Sequence, residues 1–134
     1  MAVLYRRGSN DGTYRAKMKR RVAGNGGNRY LVAGQPSEFD LAHVVFTASP
    51  LGEDTLYVNG SVEATRTHEA PDLSEWQSGA RLTLANGMQG RCPWLGAFYL
   101  VAVYDRPLTA EQIATHHAAG PPRAVAARAR FTQR

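Results

Sequence analysis

An all-β fold, an antiparallel β sandwich with one short helix near its C-terminal end, is what this sequence of 134 residues predicts. Three observations carry that reading. Short runs of β-branched, aromatic or alternating apolar residues recur between clusters of Gly, Asn, Asp, Pro and Ser; the pair Asn59-Gly60 joins two of these runs; and a single helix signature follows the last of them. No strand–helix alternation and no repeat with a period of roughly 20 to 50 residues is present, which excludes parallel α/β folds and solenoids.

Each element has its own justification. Residues 2–5 form an apolar run that ends at Arg6-Arg7-Gly8 and the turn-rich residues 9–12, so a strand is expected there. From 14 to 22 the period is two: Tyr14, Ala16, Met18 and Val22 alternate with Arg15, Lys17, Lys19 and Arg21, and only Arg20 interrupts the apolar face. One face of that strand is therefore a cationic ladder. Residues 23–28, with three glycines and two asparagines, form a turn, and 29–33 a further short strand. A phosphate cradle is the sharper reading of those glycines, but neither the dinucleotide spacing nor a P-loop ending is there.

The runs 42–49 and 55–59 read as antiparallel strands around the turn 50–54. Asn59-Gly60 tolerates the positive φ angles of a two-residue hairpin, and 61–66 is the returning strand. Asn59-Gly60-Ser61 is also a glycosylation sequon, which the turn accounts for without sugar. A polar loop at 67–80, a strand at 81–85 and a loop at 86–93 follow. Residues 95–104 are apolar on both alternating faces, the pattern of a strand buried on two sides. Thr109 with Gln112 forms a capping box for a helix over 110–119, ended by Gly120 and Pro121-Pro122. The expected organisation is one domain over residues 1–120 and an Arg/Ala-rich extended tail over 121–134.

Composition narrows the function classes. No apolar stretch approaches the roughly 18 residues of a membrane-spanning helix, and the residues given do not start with a signal peptide. Cys92 is alone, so an internal disulfide is excluded and a packed side chain is the expectation. Charge is unevenly spread: residues 1–34 carry eight Lys/Arg and one acid, residues 35–120 four Arg and ten acids, and residues 121–134 four Arg and no acid.

Ala-His43-Val-Val-Phe-Thr47, Leu56-Tyr-Val-Asn-Gly60, Leu82-Thr-Leu-Ala-Asn86 and the run from Trp94 to Ile113, in that order and spacing, resemble the signatures of laminin-G-like, concanavalin-A-like jelly-roll domains of bacterial surface proteins. The resemblance covers residues 42–120 well and 2–34 loosely. It implies two stacked antiparallel sheets in an extracytoplasmic protein (cell surface, secreted or periplasmic), of a type that binds glycans, proteins or matrix. Family members begin with further strands that pair with the one corresponding to residues 95–104, and this sequence starts after them. The expectation is that a partner chain or the C-terminal tail completes the sandwich.

Catalysis finds no support in the residues. Glu69, Asp72 and Glu75 are spaced by three in a loop with Pro71, which does not set a carboxylate pair on one strand face, and no nucleophile motif occurs. His43 is expected to be packed or hydrogen-bonded. His116 and His117 project about 100° apart on the helix and cannot grip one metal together. Related domains hold calcium at the sandwich rim, and the resemblance points to Asn25, Asn28, Asp72 and Asn86 as oxygen donors, but no calcium loop signature is present and no cofactor is expected.

The leading expectation is a non-catalytic binding or structural domain, contacting another protein or a homo- or hetero-oligomeric assembly through the ladder Arg15, Lys17, Lys19 and Arg21 and the tail residues Arg123, Arg128 and Arg130. The second is a carbohydrate-binding module using rim loops with Asn25, Asn28, Asp72, Trp76 and Asn86. Nucleic acid is not expected, because the ladder lacks interleaved aromatics for base stacking.

Overall fold

The computed structural model describes residues 2–6, 12–18, 30–34, 41–69 and 97–121, with the backbone alone for 2–6, 17 and 18. Within them lie six strands and one helix, ordered β1 (Ala2–Arg6), β2 (Tyr14–Met18), β3 (Leu31–Val32), β4 (Val44–Ala48), β5 (Glu53–Val58), β6 (Ser61–Thr67) and α1 (Ala110–Ala119). Two three-stranded antiparallel sheets form, β1-β2-β3 and β4-β5-β6. The antiparallel β architecture with one short helix is thus present.

Strand alternation decides what each sheet faces. In β5, Leu56 turns toward the first sheet and is fully buried with Tyr14, Ala16, Leu31 and Ala33, while Val44, Phe46, Val58 and Ala64 pack around that cluster. The intervening Tyr57 turns the other way, into a second cluster with Leu108, Ile113 and Val45. The β4-β5-β6 sheet is therefore sandwiched, with the first sheet on one face and α1 on the other. Two side chains of β6 also tie the sheets together. The Arg66 guanidinium donates to the Tyr30 carbonyl at 2.7 Å, and Glu63 accepts from the Gly34 amide at 3.1 Å. Glu63 is the extra residue of a bulge, since Leu56 pairs with Ala64 but Tyr57 with Val62, and this irregularity re-aims it toward β3.

The turns follow their chemistry. Asn59 and Gly60 both hold positive φ, 51° and 81°, as the two-residue hairpin demands. Between β4 and β5, the Gly52 amide donates to the Ser49 carbonyl at 3.1 Å and Gly52 takes φ of 93°. A Cβ at Gly52 would stand 2.1 Å from the His68 carbonyl oxygen, so no larger residue fits there without backbone movement. The capping box forms as expected: the Thr109 hydroxyl accepts from the Gln112 amide at 3.2 Å, and the Gln112 side chain accepts from the Thr109 amide at 3.0 Å.

One expectation is overturned. Residues 97–104, anticipated as part of a strand buried on both sides, form no ladder with another described residue and are exposed on both alternating faces. Periodicity registered how apolar the segment is, but not whether a second strand lies beside it to hydrogen-bond its backbone, and burial requires that neighbour. The expected strand at 81–85, the loops at 70–80 and 86–93, the glycine-rich turn at 23–28, Cys92 and the tail from 122 onward lie outside the described residues.

Candidate interaction surface

The helix-covered side of the β4-β5-β6 sheet gathers the chemistry. His43, just before β4, and Asn59 exchange two bonds: the His43 amide donates to Asn59 Oδ1 at 2.9 Å and the Asn59 amide donates to the His43 carbonyl at 2.8 Å. This pins the hairpin turn against the start of β4. The His43 ring then stacks on His117 of α1, with centroids 5.8 Å apart, and its Nδ1 is buried with no hydrogen-bond partner. A Cβ on Gly60 would stand 3.2 Å from the His117 ring, so the turn's glycine also lets the helix approach. Burial lowers the His43 pKa below the usual 6.5, and the neighbouring His117 and His116 lower it further. His43 is packed against the helix, as expected.

His116 points elsewhere, stacking on Tyr104 at 6.1 Å. The two adjacent histidines thus serve different partners, one the sheet and one the segment that precedes the helix. Among the described residues, no three His, Cys, Asp or Glu side chains are grouped to hold a metal ion.

The exposed segment is continuous with this cluster through Tyr104. Tyr99 is 61% exposed, Leu100 66% and Val103 78%, and no charged side chain occurs between residues 97 and 104. An apolar run of this kind on a folded domain is a candidate contact surface.

A second feature escaped the sequence reading. Asp54 is buried on the core-facing side of β5, with His68 Nε2 3.4 Å from its carboxylate, and His68 Nδ1 lies 2.5 Å from the Glu69 carbonyl. The signal was available, because Asp54 shares its face with Leu56 and Val58, and an acid on a core face calls for a cationic or hydrogen-bonding neighbour. The pair closes the end of the β5–β6 hairpin.

Of the anticipated contact residues, Arg15 is half-buried in β2 opposite Tyr5 and Val32, and Lys17 pairs with Val3 in the same strand. Arg15 alternates with buried Tyr14 and Ala16, so it belongs to the strand face turned away from the core. Lys19, Arg21, Asn25, Asn28, Asp72, Trp76, Asn86, Arg123, Arg128 and Arg130 lie outside the described residues.

Two facing antiparallel sheets, with a capped helix on the outer face of one, define a β-sandwich domain. The family model described as the concanavalin A-like lectin/glucanases superfamily matches residues 3–114, and the chain belongs to that family. A crystal structure of an S-layer domain-containing protein from Clostridium thermocellum is similar to it, with a TM-score of 0.52 and 22% identity. That alignment covers 80% of this chain and 52% of the other, so the chain spans about half the length of that structure. No curated protein matches the sequence. Among the described residues, no helix is long and apolar enough to cross a membrane.

Proposed function

We propose that this chain is a non-catalytic binding or structural domain of a bacterial surface or envelope assembly, where it contacts another protein or a larger array. The observation that carries this reading is the exposed apolar run at residues 99–104, beside a helix docked by a rigid histidine stack. Phe98, Tyr99 and Tyr104, exposed by 49%, 61% and 50%, together present roughly 300 Å² of surface. That alone reaches the size of the largest apolar patch of a typical monomer, about 300–600 Å². A surface of this composition suits protein contact rather than a sugar, which is held by a few placed polar groups around a ring.

The extracytoplasmic placement draws support from the similarity to an S-layer domain-containing protein. The basic residues Arg15, Lys17, Lys19 and Arg21, with the Arg-rich tail, supply a second, salt-sensitive contact. Raising ionic strength from about 0.1 M to about 1 M shortens the screening length from about 10 Å to about 3 Å and weakens that contact while leaving the apolar one intact.

The test combines sedimentation velocity with a glycan array on the full chain. Concentration-dependent association that is lost in Val101→Lys, with no glycan bound, supports the reading. A chain that stays monomeric, is indifferent to Val101→Lys and binds a neutral glycan tightly at high salt overturns it in favour of a lectin.

A further inference from the structure

Resting on the protein-contact reading above, we propose that the partner of residues 99–104 is the same segment of a second copy, paired antiparallel about a two-fold axis at Val101. Among the described residues, 99–104 join no ladder, and none of their backbone groups bonds to another described residue. Such an edge offers a row of donors and acceptors to a strand from another chain. Natural edges are usually blunted by Lys, Pro or inward-facing charge, and these six residues, Tyr-Leu-Val-Ala-Val-Tyr, carry none of them.

Symmetry selects the register. When two identical strands pair antiparallel about an axis normal to the sheet, opposing residues lie on the same face, so each residue number and its partner's sum to an even total. A centre at Val101 sets Tyr99 opposite Val103, Leu100 opposite Ala102, and Val101 opposite its own copy. Phe98 falls opposite Tyr104. Aromatic–β-branched and aromatic–aromatic pairs are the cross-strand combinations that stabilise a sheet, and here each occurs twice by symmetry. Shifting the centre to Ala102 sets Tyr99 against the Asp105 carboxylate. Shifting it to Leu100 removes Tyr104 and leaves Val103 opposite Ala97.

Charge excludes the parallel alternative. In-register parallel pairing stacks Asp105 on Asp105 and Arg106 on Arg106, a like-charge contact at both positions. The antiparallel register sends these residues to opposite ends, Asp105 beyond Tyr104 against Ala97. The segment is thus self-complementary in one direction and self-repelling in the other.

Cysteine cross-linking of the full chain, in a Cys92→Ser background, reads the register directly. Directly opposed residues in an antiparallel pair have Cα atoms about 4.5–5.5 Å apart, within disulfide range, whereas residues offset by two lie beyond about 7 Å. Val101→Cys is therefore expected to give a covalent dimer under mild oxidant, and the pair Tyr99→Cys with Val103→Cys in mixed chains a heterodimer. Leu100→Cys alone is expected to give no covalent dimer. A dimer, lost in Val101→Lys, that cross-links as readily from Leu100 as from Val101 overturns the two-fold register while leaving the protein-contact reading standing. A monomer at all concentrations, unaffected by Val101→Lys, overturns both.

Discussion

Truncating Leu56 to Ala tests whether the two sheets share one core. Leu56 is fully buried in the central strand of β4-β5-β6, paired with Phe46 and Ala64 and facing Ala16, Leu31 and Tyr14 of the first sheet. The substitution removes three carbons, worth about 2.4 kcal/mol of transfer free energy at about 0.8 kcal/mol each. A cavity contribution adds to this, because the neighbours Ala16, Ala33 and Ala64 are too short to refill the space, and a total of about 3–4 kcal/mol follows. That is a large fraction of the roughly 5–15 kcal/mol available to a domain. Urea unfolding followed by tryptophan fluorescence measures it, with Val62→Ala, on an exposed residue of β6, as the control expected within about 0.5 kcal/mol. A loss below about 1 kcal/mol for Leu56→Ala, or equal losses for both variants, refutes the face-to-face packing of the sheets.

Three glycine-to-alanine variants should rank by what the new Cβ meets. Gly52→Ala is the most damaging because it strikes the His68 carbonyl; Gly60→Ala follows, combining a left-handed φ with the His117 ring; Gly120→Ala, with φ of 69° but open space, costs only the backbone term of about 1–2 kcal/mol. Thermal melts give the order, and Gly120→Ala as the worst of the three would contradict it. Thr109→Ala should cost about 1 kcal/mol through loss of the helix cap, read from helical circular dichroism and unfolding midpoints. The lowered pKa of His43 makes its contribution complete above pH 6.5 and lost as pH falls from there through the folded-state value, since the unfolded chain binds the proton first. Stability should therefore decline less steeply below pH 6.5 in His43→Gln than in the native chain, and identical slopes in urea titrations would refute the assignment.

What was legible in the sequence is what local chemistry decides. The Asn59-Gly60 hairpin, the Thr109–Gln112 capping box and helix 110–119, and the alternation that buries Tyr14 and Ala16 all depend on residues within a few positions of one another. The segment 97–104 reads as a buried strand because its apolar pattern is the same whether a neighbouring strand covers it or solvent does, and that neighbour is a non-local fact. The His43–His117 stack was hidden for a related reason: 74 positions separate the two rings, and only the docking of α1 on the sheet brings them together. Asp54 lay between these cases, with its core-facing parity readable and its partner His68 not.

Hydrogen–deuterium exchange of the amides at 99–104 across a dilution series tests the contact surface most directly. If a second molecule covers this segment, its amides exchange slowly at high protein concentration and rapidly on dilution, while those of β5, bonded on both sides by β4 and β6, stay protected throughout. Protection of 99–104 that is the same at every concentration would contradict the account, because the covering strand would then come from the chain itself.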